Sequence, residues 1–246
     1  MNLKKILILC MAVVMVISMS SCKGKKEINK ISDLAYDYSG SIHQIYITEN
    51  GKYIPFLVLT NDYCGNTLLL REEIIDENRR ISEYSAYYAD SEIDSYLNKE
   101  YLEALTEIAQ YVTISNVEIT CDDALGMSGL DTEVILRRVF LLSCNEVGIS
   151  DSVNIATEGE ILEYFQNENY RNAYYCENPS SWWLRTPNTY YLSCTYVIGE
   201  NNKLGFSNAF DQNGIRPAFC VDGDMRVKLE NGIVDDKKVY VFLLED

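Results

Sequence analysis

Residues 43–60, HQIYITENGKYIPFLVLT, decide how this chain is read. Two runs rich in Ile, Tyr, Val and Thr flank Glu49-Asn50-Gly51. Asn-Gly is the strongest short-range hairpin signal, because both residues tolerate positive φ. A third β-prone run, NTLLLREEII at residues 66–75, follows turn formers at Asn61-Asp62 and Cys64-Gly65. The period then changes. In DSEIDSYLNKEYLEALTEIAQY, residues 90–111, Ile93, Leu97, Tyr101, Leu105 and Ile108 recur at helical spacing, and Ser91 with Asp94 makes a capping pair. A helix is predicted over 91–109. A second, shorter helix is predicted for TEGEILEYFQN, residues 157–167, with Thr157 and Glu160 as its cap pair. Between them RRVFLLS, residues 137–143, reads as a buried strand. Residues 170–221 are rich in turn formers and predict short strands and long loops. The tail adds two β-prone runs around Asn231-Gly232 and Asp235-Asp236. With no repeat, low-complexity tract or linker, residues 40–246 form one α+β domain of short antiparallel sheets, two flanking helices and long loops.

The first residues carry a different message. MNLKKILILCMAVVMVISMSSC places Lys4 and Lys5 before an apolar run from Ile6 to Ile17, with small residues leading to Cys22. A basic start, an apolar stretch too short for a comfortable membrane span and a small-residue exit describe an export signal over residues 1–21. MSSC resembles the lipobox of bacterial lipoproteins. That resemblance implies cleavage before Cys22, lipidation of its thiol, and anchoring on the outer face of the bacterial cell membrane through acyl chains. Plain secretion or an uncleaved anchor is the alternative. Residues 22–39, which include KGKKEINK, then read as a lipidated N-terminus and polar tether.

Net charge of −16 makes nucleic acid a poor partner. A single histidine, His43, excludes a multi-histidine metal site and argues against a histidine-dependent triad. No cofactor or metal motif stands out. Apart from Cys10 and Cys22, six cysteines remain, at widely spaced positions with no C-x-x-C. An even number in an exported protein permits disulfides, whereas an anaerobic host would leave free thiols. Glu72–Glu77 reads as a solvated face.

Both tryptophans sit in SWWLRTP, residues 181–187. In a strand Trp182 and Leu184 point one way and Trp183 and Arg185 the other, so one indole belongs to the core and the other lines a surface beside Arg185. Nineteen tyrosines suit adaptable recognition, since tyrosine offers a large area and a polar tip at low entropy cost. Tyr174, Tyr190 and Tyr196 flank SWWLRTP and, with Trp183 and Arg185, make the candidate binding face. Trp182, Arg216 and Pro217 form the framework. Arg216 is expected to be buried against backbone carbonyls or an acid such as Asp211 or Asp222.

The order IPFLVLTNDYCGNTLLLREEII, YADSEIDSYLNKEYLEAL, RRVFLLSCNEVG, SWWLRTP and NGIRPAF resembles the DUF6273 family of bacterial domains across roughly residues 45–222. YIPFLVL departs from it by lacking the usual tryptophan. The closing pattern is also similar to the C-type-lectin-like fold and the related formylglycine-generating enzymes, which implies long loops as a binding surface. Glu177–Pro179 does not match the calcium-lectin tripeptide. The expectation is therefore a lipid-anchored, non-catalytic recognition domain for glycan, peptidoglycan or protein. An extracytoplasmic enzyme or a structural envelope component is the alternative.

Overall fold

The computed structural model describes residues 27–38, 43–75, 79–150 and 153–244. The export signal and Cys22 lie outside these. The opening hairpin forms as expected. β1 (Gln44–Glu49) pairs with β2 (Lys52–Tyr63) through a turn in which Asn50 and Gly51 both take positive φ, 49° and 76°. The turn also supports its neighbour, because the Asn50 amide donates to the Ala104 carbonyl at 2.9 Å and satisfies the end of a helix. β2 pairs with β3 (Asn66–Arg71), whose Leu68, Leu69 and Leu70 are all buried. A late strand, β12 (Ala218–Val221), joins β3, and the two-residue β6 (Val139–Phe140) closes a five-stranded antiparallel sheet in the order β1-β2-β3-β12-β6. Only two residues of RRVFLLS enter this ladder. Beyond it the Leu141 amide donates to the Tyr88 hydroxyl oxygen, and the Leu142 carbonyl accepts from the Arg185 amide.

The predicted helix forms as α1 and is shorter than expected. It consists of α-turns Glu92–Tyr96 and Leu102–Ala104 with a π-segment, Leu97–Tyr101, between them. The π-segment has a cause in the sequence. Ile93, Leu97, Tyr101 and Leu105 are spaced by four, and on an ideal α-helix each step of four drifts by about 40° around the axis. Widening one turn to i→i+5 bonding cancels the drift and keeps all four buried. Half of the capping box forms, with Ser91 Oγ accepting the Asp94 amide at 3.0 Å. The Asp94 carboxylate instead meets Arg137 at 2.7 Å. Asn98 ties α1 to β6, donating to the Val139 carbonyl and accepting from the Arg138 and Val139 amides.

The second predicted helix is replaced by a loop with a 3₁₀ turn at Glu163–Gln166. Gly159, at φ 69°, leaves the helical region, and the segment's polar groups bond to other elements. β4 (Ser115–Thr120) and β5 (Thr132–Arg137) form a separate hairpin. The short pair β7 (Tyr174–Tyr175) and β8 (Asn178–Pro179) precedes β9 (Trp182–Pro187), β10 (Cys194–Ile198) and β11 (Leu204–Asn208), ordered β11-β10-β9. In the tail, β13 (Val227–Val234) and β14 (Lys237–Phe242) turn at Asp235-Asp236, and Asn231-Gly232 is a bulge within β13. Residues 30–36 do not behave as tether. Ile31 and Leu34 are buried in the core, and the Ile31 amide bonds the Met225 carbonyl. The six cysteines among the described residues are free thiols.

The buried face of α1 makes a testable demand. Leu97→Asp places an unpaired carboxylate where Leu97 is now fully enclosed, and should lower stability by more than about 4 kcal/mol in denaturant unfolding. A change under about 1 kcal/mol would mean that this face does not pack as described.

Candidate binding cleft

Every residue of β9 is buried, which corrects the reading of SWWLRTP. The β9–β10 register shifts between Trp183 and Pro187, and both indoles are fully enclosed, so neither reaches a surface. Trp182 Nε1 donates to the Arg171 carbonyl at 3.0 Å and Trp183 Nε1 to the Arg79 carbonyl at 2.9 Å. Each indole N–H thus has the partner that burial demands. Arg185 is interior as well, and it organises its surroundings. Its Nη1 and Nη2 form a fork with Glu146 at 2.7 and 2.9 Å, Nη1 also donates to the Leu141 carbonyl, and Nε donates to the Glu118 carbonyl at 2.9 Å. The Glu158 carboxylate lies 3.4 Å from Nε. Burial works against this guanidinium charge, and Glu146, Tyr63 and Glu158 together more than offset it, holding the pKa above the ordinary arginine value.

Glu158 is buried too, and burial raises its pKa against the opposing pull of Arg185 and of hydrogen bonds from Thr120 and Thr186. One carboxylate oxygen accepts the Thr120 amide and hydroxyl, and the other accepts the Thr186 hydroxyl. Ser143 Oγ bonds the Glu158 carbonyl, and the Ser143 amide bonds Glu146. The Tyr63 hydroxyl donates to Glu146 at 2.7 Å, and burial followed by the Glu146 charge raises the phenol pKa, so it stays a donor.

This network fixes the walls of a cleft of about 720 Å³. One wall is the end of β2 and the turn after it, from Leu59 to Cys64. The second is β4, through Asn116 and Glu118, and the third is the loop Gly159–Glu163. Tyr36 also lines it. The loop is held tightly: Gly159 N bonds Glu118 Oε2 at 3.0 Å, the Leu162 amide bonds the Glu146 carbonyl, and Asn145 Nδ2 bonds the Gly159 carbonyl. Glycine is required there, because a Cβ would stand 2.6 Å from Glu146 Oε1. Asn61 and Asn116 are exposed and bring amides to the cleft, while Asp62, Glu118 and Glu160 bring carboxylates. Such a lining suits hydrogen bonding to hydroxyl and amide groups of a ligand.

The five residues expected to form a binding face are dispersed. Trp183, Arg185 and Tyr196 are interior. Tyr174 is 43% exposed on β7 and Tyr190 is 59% exposed after β9, where it meets Tyr191 at 4.8 Å. Arg216 is buried as expected, and its Nε donates to the carbonyls of Arg71 and Glu72. Neither proposed acid partners it: Asp211 is engaged by Ser207 and Asn208, and Asp222 caps the Asp224 amide. The Pro217 carbonyl accepts the Arg71 amide. Glu72, read as solvated, is half-buried against Gln44. Glu146, Glu158, Tyr63 and Gly159 were not singled out from the sequence. The available signal was Arg185 itself, two residues after the tryptophan pair on a strand that puts half its side chains in the core, where a guanidinium is well served by an acid.

The model of the family described as a domain of unknown function, DUF6273, matches residues 64–223, and the chain belongs to that family. The match runs from the β2–β3 turn to just past β12 and includes three of the elements that hold the cleft: VFLLSCNE, the Gly159 loop and SWWLRTP. No curated protein and no solved structure matches the chain.

The ion pair gives the next prediction. Glu146→Ala leaves the Arg185 charge without its fork and should cost about 3–5 kcal/mol in denaturant unfolding. An Arg185→Met/Glu146→Leu double variant should regain most of that loss, because no buried charge is then stranded. A Glu146→Ala cost under about 1 kcal/mol would show that the fork does not carry the cleft walls.

Proposed function

We propose that this DUF6273 member is a lipoprotein held on the outer face of a bacterial cell membrane, and that its domain is a non-catalytic recognition module for glycan, cell-wall or protein ligands. The observation that carries the recognition reading is the cleft, whose walls are fixed by an interior ion-pair network and whose lining is amide, phenol and carboxylate. Pre-fixed walls reduce the ordering cost of binding. A scaffold of short antiparallel sheets with long loops also suits the C-type-lectin-like assignment, and the cleft is bounded by one such loop and two strand ends. The basic, apolar and small-residue succession ending at Cys22 supports the lipid anchor.

Titrating the full-length protein in detergent with soluble peptidoglycan fragments and a glycan panel tests recognition. Binding should weaken about fivefold in Asn61→Ala and in Asn116→Ala, from the ~1 kcal/mol net worth of one hydrogen bond, with the unfolding midpoint unchanged. Affinity indifferent to both substitutions would remove the cleft from the binding site. For the anchor, Cys22→Ser should abolish incorporation of labelled fatty acid and release the protein from washed membranes. Unchanged mass and membrane retention would refute lipidation.

A further inference from the structure

One buried cation makes no ion pair among the described residues. Arg216 is 2% exposed, and its Nε is engaged by the carbonyls of Arg71 and Glu72 at 2.9 and 3.1 Å, but the enclosed Nη1 meets no acceptor. The guanidinium carbon stands 5.2 Å from the Trp182 ring, a cation–π contact that gives Nη1 no acceptor. Glu72 is near enough to act electrostatically, but its carboxylate is held by Gln44 Nε2 at 2.6 Å and makes no ion pair with Arg216. Arg185 shows what the same fold does with a buried guanidinium that serves the scaffold: it supplies a bidentate acid. Buried polar groups are almost always bonded, and an unpaired buried charge is costly, so the open Nη1 calls for a partner. Burial draws the Arg216 pKa down to about 10, while Tyr164 and Glu72 act to raise it.

Tyr164 links this cation to the cleft. Its ring is 4.7 Å from Tyr170, whose neighbour Arg171 accepts the N–H of the Trp182 indole beneath the guanidinium, and 5.2 Å from Tyr36, which lines the cleft together with Leu162 and Glu163. Tyr170 is 38% exposed, so the phenol cluster runs from the surface inward. We propose that the cleft takes a sugar bearing a carboxylate, with the carboxylate received by Arg216 once the Tyr164 ring swings aside and the sugar ring resting on Tyr36. This rests on the recognition reading above. A guanidinium fork matches a carboxylate in geometry and charge. Glu72 beside it, and Glu118 and Glu160 in the cleft, penalise a dianion such as phosphate more than a monoanion.

The test compares N-acetylmuramic acid with N-acetylglucosamine, which share a pyranose ring and differ by one ether-linked carboxylate, in calorimetric titrations of the full-length protein in detergent. The acid should bind at least about tenfold more tightly, Arg216→Gln should abolish that preference, and Tyr164→Phe should keep binding intact. Acetate alone should shift the side-chain ¹⁵N resonances of Arg216 in the unaltered protein, a readout that survives even if Arg216→Gln fails to fold. Equal affinity for the two sugars, with both still weakened by Asn116→Ala, would overturn the carboxylate site and leave the recognition cleft standing. A preference that persists in Arg216→Gln, or Arg216 resonances unmoved by acetate, would overturn it as well. If neither sugar binds, the inference fails, and the wider glycan and peptidoglycan panel decides the recognition reading separately.

Discussion

Moving a guanidinium out of water costs several kcal/mol, and Arg185 offsets that cost through a fork to Glu146, bonds to two carbonyls and a nearby Glu158 carboxylate. From β9, Arg185 thus gathers partners from three other parts of the chain: β4, the segment after β6 and the Gly159 loop. Removing any one of them would leave a charge stranded, so the segments are coupled electrostatically rather than only by apolar contact. A buried ion pair of this kind adds little net stability over an apolar equivalent, but it penalises every wrong arrangement heavily. That is the property required to hold a loop without regular secondary structure in one position beside a cleft.

The same constraint explains which parts of the fold could be read from the sequence. The opening hairpin was legible because its signals are local: Asn50-Gly51 sets the turn and the flanking residues set the strands. Helix α1 was legible for the same reason, and its strict spacing by four even contains the cause of its π-segment. Residues 157–167 carry equally good local signals for a helix and do not form one. There the Glu158 carboxylate and the Gly159 amide are drawn to Thr120, Thr186 and Glu118, and these long-range bonds outweigh local propensity. The binding-face reading failed on burial. Period-two alternation says which side chains share a face of β9, and only the tertiary fold says that both faces are covered. Among 37 acids, nothing local marks Glu146 and Glu158 as the two that go fully inside beside Arg185.

The two conspicuous arginines therefore divide in character. Arg185 is saturated and belongs to the scaffold. Arg216 lies in a comparable interior with an open nitrogen and a row of phenols leading outward. Both sit in the segments that carried the resemblance to the family, SWWLRTP and NGIRPAF, so the pattern combines residues of two different kinds. A tryptophan–arginine motif read from sequence alone merges them, and hydrogen-bond accounting separates them.

Burial of both indoles has a spectroscopic consequence. Trp182 and Trp183 are the only tryptophans in the chain, and both are enclosed with their N–H groups on backbone carbonyls. The emission of the native protein is thus that of a dry, rigid interior, and a ligand confined to the mouth of the cleft leaves it unaltered. Trp182 also lies under the Arg216 guanidinium. A cation over an indole face shifts the energy of its excited state, so neutralising or reorienting that cation changes the colour of the fluorescence. The chain thus carries a built-in optical reporter on the charge of Arg216.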